Sequence, residues 1–111
     1  MTRYLISFDD GAMTFPEEDL PAVSDAAHAV VDEAKAAGVW VTGGGITSKD
    51  EVSVVATDGT VVDGPEGKAY MGGFSILDVS SRDEALEWAA KIAVACRCAQ
   101  EVRELMFDPA V

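Results

Sequence analysis

The chain has 111 residues, of which 49% are apolar, and its 20 acidic and eight basic residues give a net charge of −12. A chain of this length forms a single domain, here residues 1–111, with a modest core that association would help to bury. The acidity argues against a nucleic acid or an anionic membrane as partner, because both would repel the protein.

No apolar run approaches the roughly 20 residues of a membrane span. The opening Met1-Thr2-Arg3 leads directly into a strand pattern rather than into a signal peptide. We therefore expect a cytoplasmic protein. Cys96 and Cys98 are two ligands short of a tetrahedral zinc set, and a disulfide across one residue would be strained. Reduced, at least half-buried thiols are expected, with no metal and no cofactor.

Alternating and helical apolar spacing predicts six strands and two helices in chain order. The first half is predicted as a strand Arg3–Phe8, a loop Asp9–Pro21, a helix Ala22–Ala37 ended by Gly38, and a strand Val39–Ile46. The second half is predicted as a hairpin of Glu51–Ala56 and Thr60–Val62, a strand Phe74–Val79, a helix capped by Ser81 and Glu84, and a strand Glu101–Phe107.

His28, the chain's single histidine, lies about 140° around the first helix from Val23, which belongs to the apolar stripe. Asp32 follows one turn later, and such an i,i+4 pair is most often a solvated helix contact. Histidine is also the usual acid–base residue near neutral pH, so His28 stays a candidate catalytic residue. The solvated contact is the favoured interpretation.

Gly43, Gly44 and Gly45 end the second predicted strand. A glycine-rich loop can cradle phosphate, but these three lack the spacing of a P-loop or a dinucleotide fingerprint, and no helix pattern follows. We favour a structural role, in which glycine permits a bulge or the close approach of another group.

The order of elements predicts an α+β fold, a ferredoxin-like βαββαβ antiparallel sheet with an inserted hairpin. Both helices would cover one face of the sheet. The strands nevertheless carry large apolar residues on both faces, too many for one face to stay wet. A two-fold homodimer in which the open faces meet would bury them. The alternation does not decide which of the two residue sets meets the partner chain. With Leu77 and Trp40 taken as part of the dimer set, truncation of either is expected to weaken the dimer.

Asp63-Gly64-Pro65, Gly72-Gly73-Phe74 and the helix segment 83–89, DEALEWA, occur in one order along the chain. This block resembles the DGPF-type branch of the YCII-related family, and the similarity covers nearly the whole chain. The resemblance implies a dimeric α+β barrel. Glu66 stands where the family motif has Phe, and Lys68 is the position of the following polar run that carries over. The His–Asp pair of related proteins does not carry over to His28.

Two functions follow. The first is a non-catalytic dimeric module that binds a small organic ligand in the cleft between sheet and helices, or a partner protein; the resemblance implies a link to sigma-factor regulation. The second is a lyase or isomerase that uses Asp63 as base and Lys68 or Tyr70 to stabilise an anion. Asp63 also suits a cap of the Asp-Gly-Pro turn. The scarcity of acid–base residues favours binding.

Overall fold

The computed structural model describes all residues from Met1 to Val111. Six strands and two helices make up the fold. Their bounds are β1 Thr2–Asp9, α1 Leu20–Ala36, β2 Trp40–Gly45, β3 Ser53–Val55, β4 Val61–Asp63, β5 Met71–Val79, α2 Arg82–Cys96 and β6 Glu101–Glu104. The predicted elements are all present. The helix α1 begins two residues earlier than expected because Pro21 is tolerated in a first turn, where its missing N–H has no helical partner to lose.

Four strands form one antiparallel sheet in the order β2-β5-β1-β6. This order places the last strand beside the first, and the two helices pack against one face, which is the ferredoxin-like α+β arrangement predicted above. Neither helix is long and apolar enough to cross a membrane. The strands β3 and β4 pair only with each other.

The core lies between the sheet and the helices. Ile6, Leu77 and Val79 are the largest side chains that are fully buried there. Tyr4 faces Leu77 across the β1–β5 pair and belongs to the same core, which α2 completes with Trp88. Trp88 is therefore a core residue and not a surface aromatic.

The assignment of Leu77 and Trp40 to an open face is wrong. Leu77 is 0% exposed within the core, and Trp40, its partner in the β2–β5 pair, packs against the same cluster. A register shift between Trp40 and Thr42 lets one extra residue, Val41, into β2. Such a bulge breaks the strict alternation from which the faces were predicted.

The opposite face of the sheet carries no helix. Leu5, Phe74 and Ile76 are half-buried there, and Arg3 forms an ion pair with Asp78 at 3.0 Å beside them. We call the surface of Leu5, Phe74 and Ile76 the open sheet face. Its three large side chains are apolar.

Residues 47–70, which include β3 and β4, form a hairpin arm outside the main sheet. The Cα radius of gyration is 15.6 Å, whereas a compact chain of about this length would have about 13 Å. The molecule measures 45 × 43 × 18 Å, so it is flat. Val55 and Val61 on the arm are each 65% exposed. The arm therefore enlarges the apolar surface that a single chain leaves uncovered.

The N-terminus of α2 is capped by Ser81 and Glu84, as predicted, but one of the expected contacts is made with Ser80. The Ser81 hydroxyl accepts a hydrogen bond from the Glu84 N–H at 3.1 Å, as expected. The Glu84 carboxylate accepts from the N–H and the hydroxyl of Ser80, at 2.9 and 2.6 Å, instead of from Ser81. Both hydrogen bonds lower the pKa of Glu84, and the bond from the Ser80 hydroxyl has the larger effect.

Candidate functional site

A cavity of about 430 Å³ lies between the sheet and the two helices. Of its 20 lining residues, 13 are hydrophobic. The sheet provides its floor, and the helices provide its walls. The lining residues include Phe8, Trp40, Gly43, Gly44, Gly45, Ser75 and Leu77 on the sheet, Ala27, His28, Val31, Ala34 and Lys35 on α1, Trp88, Ala95 and Cys96 on α2, and Gln100 before β6.

Small residues keep this space open. Ala27 and Ala34 on α1 and Ala95 on α2 replace the large side chains that a fully packed interface would contain. On the floor, a Cβ at Gly43 would lie 2.5 Å from the carbonyl oxygen of Phe74 and 2.8 Å from Cη2 of the Trp40 indole. Glycine is therefore required for the indole to lie along β2, which agrees with the structural role predicted for this residue.

His28 and Lys35 form the polar side of the cavity. Their separation of seven positions corresponds to about 20° around the helix and about 10 Å along it. Val31 lies between them and lines the cavity as well. These residues occupy the flank of α1 beside its buried stripe. The His28 side chain is exposed, as expected for a solvated group, and it is also one of the residues that line the cavity.

The predicted contact of His28 with Asp32 is absent, because the two side chains share neither a hydrogen bond nor an ion pair. Lys35 forms no ion pair either. The three ion pairs of the chain are Arg3–Asp78, Lys91–Glu33 and Arg97–Asp19.

Three further groups contribute polar atoms to the cavity. Gln100 donates from Nε2 to the carbonyl oxygen of Cys98 at 3.4 Å and to its Sγ at 3.5 Å. The Ser75 hydroxyl makes no hydrogen bond within the chain. Burial, and then the neighbouring Cys98, raises the pKa of the Cys96 thiol. Cys96 therefore stays protonated and is a poor nucleophile. Both cysteines are free, as predicted.

Residues 63–70, which we call the DGP loop, fold back on themselves at the base of the hairpin arm. The Tyr70 hydroxyl donates to the carbonyl oxygen of Pro65 at 3.1 Å, and the Lys68 ammonium lies 5.1 Å from the centre of the Tyr70 ring. A Cβ at Gly64 would lie 2.5 Å from the Tyr70 hydroxyl. The Tyr70 side chain therefore holds the Gly64-Pro65 turn together.

Asp63 is exposed at the end of β4, and its carboxylate makes no hydrogen bond, so the predicted cap of the turn does not form. It forms no ion pair with Lys68, which is also exposed. None of Asp63, Lys68 and Tyr70 lines the cavity. The structure thus separates these residues from His28, and a catalytic role for any of the four stays a prediction.

The sequence reasoning did not identify Lys35, Ser75 or Gln100. The spacing of Lys35 from His28 was a usable signal, because residues seven apart share one flank of a helix. Ser75 and Gln100 had no such signal. No three His, Cys, Asp or Glu side chains are grouped so that they could hold a metal ion.

The ferredoxin-like sheet and the largely apolar cavity beneath its helices define a small α+β protein with a cleft between sheet and helices. The family model described as the YCII-related domain matches residues 2–106. The chain therefore belongs to the YCII-related family, as its central block predicted.

Among solved structures, one similar protein is 5-chloro-2-hydroxyhydroquinone dehydrochlorinase (TftG) from Burkholderia phenoliruptrix AC1100, in complex with 2,5-dihydroxybenzoquinone. The two chains are 19% identical, the TM-score is 0.51, and the match covers 97% of each chain. At this identity the likeness concerns the fold. No curated protein matches this chain significantly.

Proposed function

We propose that this protein binds a small organic molecule in the cavity between its sheet and its helices, and that it does so as a homodimer. The cavity is the observation that carries the proposal. Sites for small molecules typically enclose about 300–1,000 Å³ and combine an apolar lining with a few polar groups. The 430 Å³ here, with 13 hydrophobic residues among 20, has this character.

The shape of the lining favours a ligand with a ring. The indole of Trp40 and the ring of Phe8 both line the cavity and offer flat apolar surfaces. In TftG, the bound molecule is 2,5-dihydroxybenzoquinone, which has a single six-membered ring. A one-ring or two-ring compound is therefore the first class to test here.

The homodimer would form through the open sheet face. Leu5, Phe74 and Ile76 present apolar surface without a covering helix, and Val55 and Val61 of the arm add more. Contiguous exposed apolar surface commonly marks an interaction site, and a two-fold dimer is the most frequent arrangement. A partner protein on the same face is the alternative occupant.

Native mass spectrometry of the purified protein at neutral pH tests both parts. A dimer with a discrete extra mass is the expected result and would identify the ligand class. A bare dimer that also fails to bind added one-ring and two-ring compounds would contradict the binding proposal. A bare monomer would contradict the homodimer.

A cavity-filling variant tests the location of binding. Gly45 pairs with Gly73 on the helix-covered face, and a Cβ at Gly45 would meet no atom within 4 Å. Gly45→Val should therefore fold and reduce the space for a ligand. Thr42→Val is the control, because Thr42 lies in the same strand, is exposed, pairs with Ile76 of the open sheet face and does not line the cavity. Equal ligand affinity in both variants would place the binding site elsewhere.

A second candidate function is acid–base catalysis of an elimination or isomerisation. The observation in its favour is the position of His28 at the cavity, since an imidazole can both accept and donate a proton near neutral pH. Alternatively, the catalytic base would be Asp63 in the DGP loop, and Lys68 or Tyr70 would stabilise the anion.

Hydrogen–deuterium exchange separates these versions. A base within reach would exchange the protons beside the carbonyl of a bound cyclic ketone such as 1-indanone, which proton NMR follows directly. Loss of exchange in His28→Gln but not in Asp63→Ala would locate the base at the cavity. The reverse would locate it in the DGP loop, and no exchange above the buffer rate would leave binding without catalysis.

A further inference from the structure

The cavity has a charge character opposite to that of the chain. The protein carries 20 carboxylates, yet not one of the 20 lining residues is an Asp or a Glu. The basic side chains at the cavity are those of Lys35 and His28. The lining is thus neutral to positive inside a protein whose net charge is −12.

Lys35 is one of five basic residues that form no ion pair, and it is the only one of the five that lines the cavity. Arg3, Lys91 and Arg97 are each held by a carboxylate. Lys35 has no carboxylate oxygen within ion-pair distance. Its position in the last turn of α1 favours the helix, since a cation interacts well with the carboxyl end of a helix. That effect explains its presence on the helix but leaves its ammonium group free to meet a ligand.

The polar side chains of the cavity favour a ligand that accepts hydrogen bonds. Lysine has only donors, and the unpaired Ser75 hydroxyl can donate from the floor. Their natural complement is a group with several acceptor oxygens. A carboxylate or a phenolate provides such oxygens together with a negative charge, and charge-assisted hydrogen bonds are the stronger kind.

We infer that the cavity binds a small organic anion: an apolar ring lies against Trp40 and Phe8, and a carboxylate or phenolate oxygen meets Lys35 and His28 on the flank of α1. This inference rests on the proposed function, because it specifies the ligand of that same cavity. The anion must enter against the overall negative charge. The unpaired Lys35 supplies the local positive potential that makes this entry favourable.

Two probes of equal shape and different charge test the inference. Benzoate and benzamide differ chiefly in charge, and 1-naphthoate and 1-naphthamide repeat the comparison with two rings. Each is titrated into the wild-type protein at fixed ionic strength, while the amide resonances of cavity residues are followed by NMR. The anion of each pair should bind more tightly, by up to about fivefold, since an exposed ion pair contributes at most about 1 kcal/mol.

Three lysine variants complete the test. Lys35→Gln should weaken the anion by about the same fivefold and leave the neutral amide unchanged, whereas Lys35→Arg should retain the preference. Lys49→Gln is the matched control, because it removes the same charge from a residue that does not line the cavity. If both lysine-to-glutamine variants weaken the anion equally, the effect comes from net charge and the inference is wrong.

If the neutral amides bind as tightly as the anions, or if Lys35→Gln leaves the anion affinity intact, the inference is overturned while the proposed function stands. If none of the four probes perturbs the cavity resonances, the proposed function fails with it.

Discussion

Leu77 and Ile76 are adjacent in β5 and lie on opposite faces of the sheet, which makes them a matched pair for testing the fold. Leu77→Ala removes three buried carbons, which corresponds to about 2.4 kcal/mol of transfer free energy at about 0.8 kcal/mol per methylene. Leu→Ala changes in well-packed cores cost about 2.7–5.0 kcal/mol, because an empty space remains. Leu77 already lines the cavity, so the new space joins an existing one. We therefore expect a loss of about 3 kcal/mol in the free energy of unfolding.

Ile76→Ala should behave differently. Its side chain is half-buried on the open sheet face, so the loss within one chain should be about 1 kcal/mol. If that face joins two copies, the same change should raise the dimer dissociation constant, whereas Leu77→Ala should leave the native dimer intact. Urea denaturation at two protein concentrations measures the stability, and light scattering after size-exclusion chromatography measures the association.

One outcome would refute the face assignment. A Leu77→Ala protein that loses less than about 1 kcal/mol but dissociates, beside an Ile76→Ala protein that is destabilised and still dimeric, would mean that Leu77 faces outward. If both changes lower the stability equally and neither changes the association, Leu77 remains a core residue, but a dimer through the open sheet face is contradicted.

Two further predictions concern the backbone and the pH dependence. Gly43→Ala should destabilise the protein by about 1–3 kcal/mol, as overpacking does, because its Cβ would lie 2.5 Å from the backbone oxygen of Phe74; an unchanged urea midpoint would contradict this. The lowered pKa of Glu84, caused first by the Ser80 hydroxyl, contributes stability above the pKa of the unfolded chain, and this stability is lost as pH falls through the folded pKa. The urea midpoint of the wild-type protein should therefore fall more steeply below about pH 4.5 than that of Glu84→Gln, and parallel curves would exclude the contribution.

The order of elements was predictable because it depends on local patterns. The period of the apolar residues in α1 and α2 and the Asp58-Gly59 turn are each written within a few neighbouring positions. The assignment of faces was not predictable in the same way. In β5, Phe74 and Ile76 alternate with Leu77, so both faces are apolar, and the bulge after Trp40 reverses the alternation in β2.

The site was less predictable than the fold because it is defined by unfilled volume. The helical angle between His28 and Val23 correctly indicated an exposed side chain, but it did not indicate that this side chain borders a cavity. Whether the flank of a helix faces water or a cavity depends on how closely the helix approaches the sheet. That distance is set here by residues remote in sequence, such as Gly43 and Ala95, and no local pattern reports it.

The hairpin arm is an insertion between β2 and β5, and the four-stranded sheet is complete without it. The Ile46 N–H donates to the carbonyl oxygen of Gly72 at 2.9 Å, so the two ends of the excursion are hydrogen-bonded neighbours. A short turn could therefore connect β2 to β5 directly, and the four-stranded sheet, both helices and the cavity would keep their connections. Residues 47–62 of the arm can thus be lengthened, shortened or rewritten without changing the fold, whereas Asp63-Gly64-Pro65 belongs to the block that resembles the family. In related proteins, this segment is where we expect partner choice to diverge while the cavity stays the same.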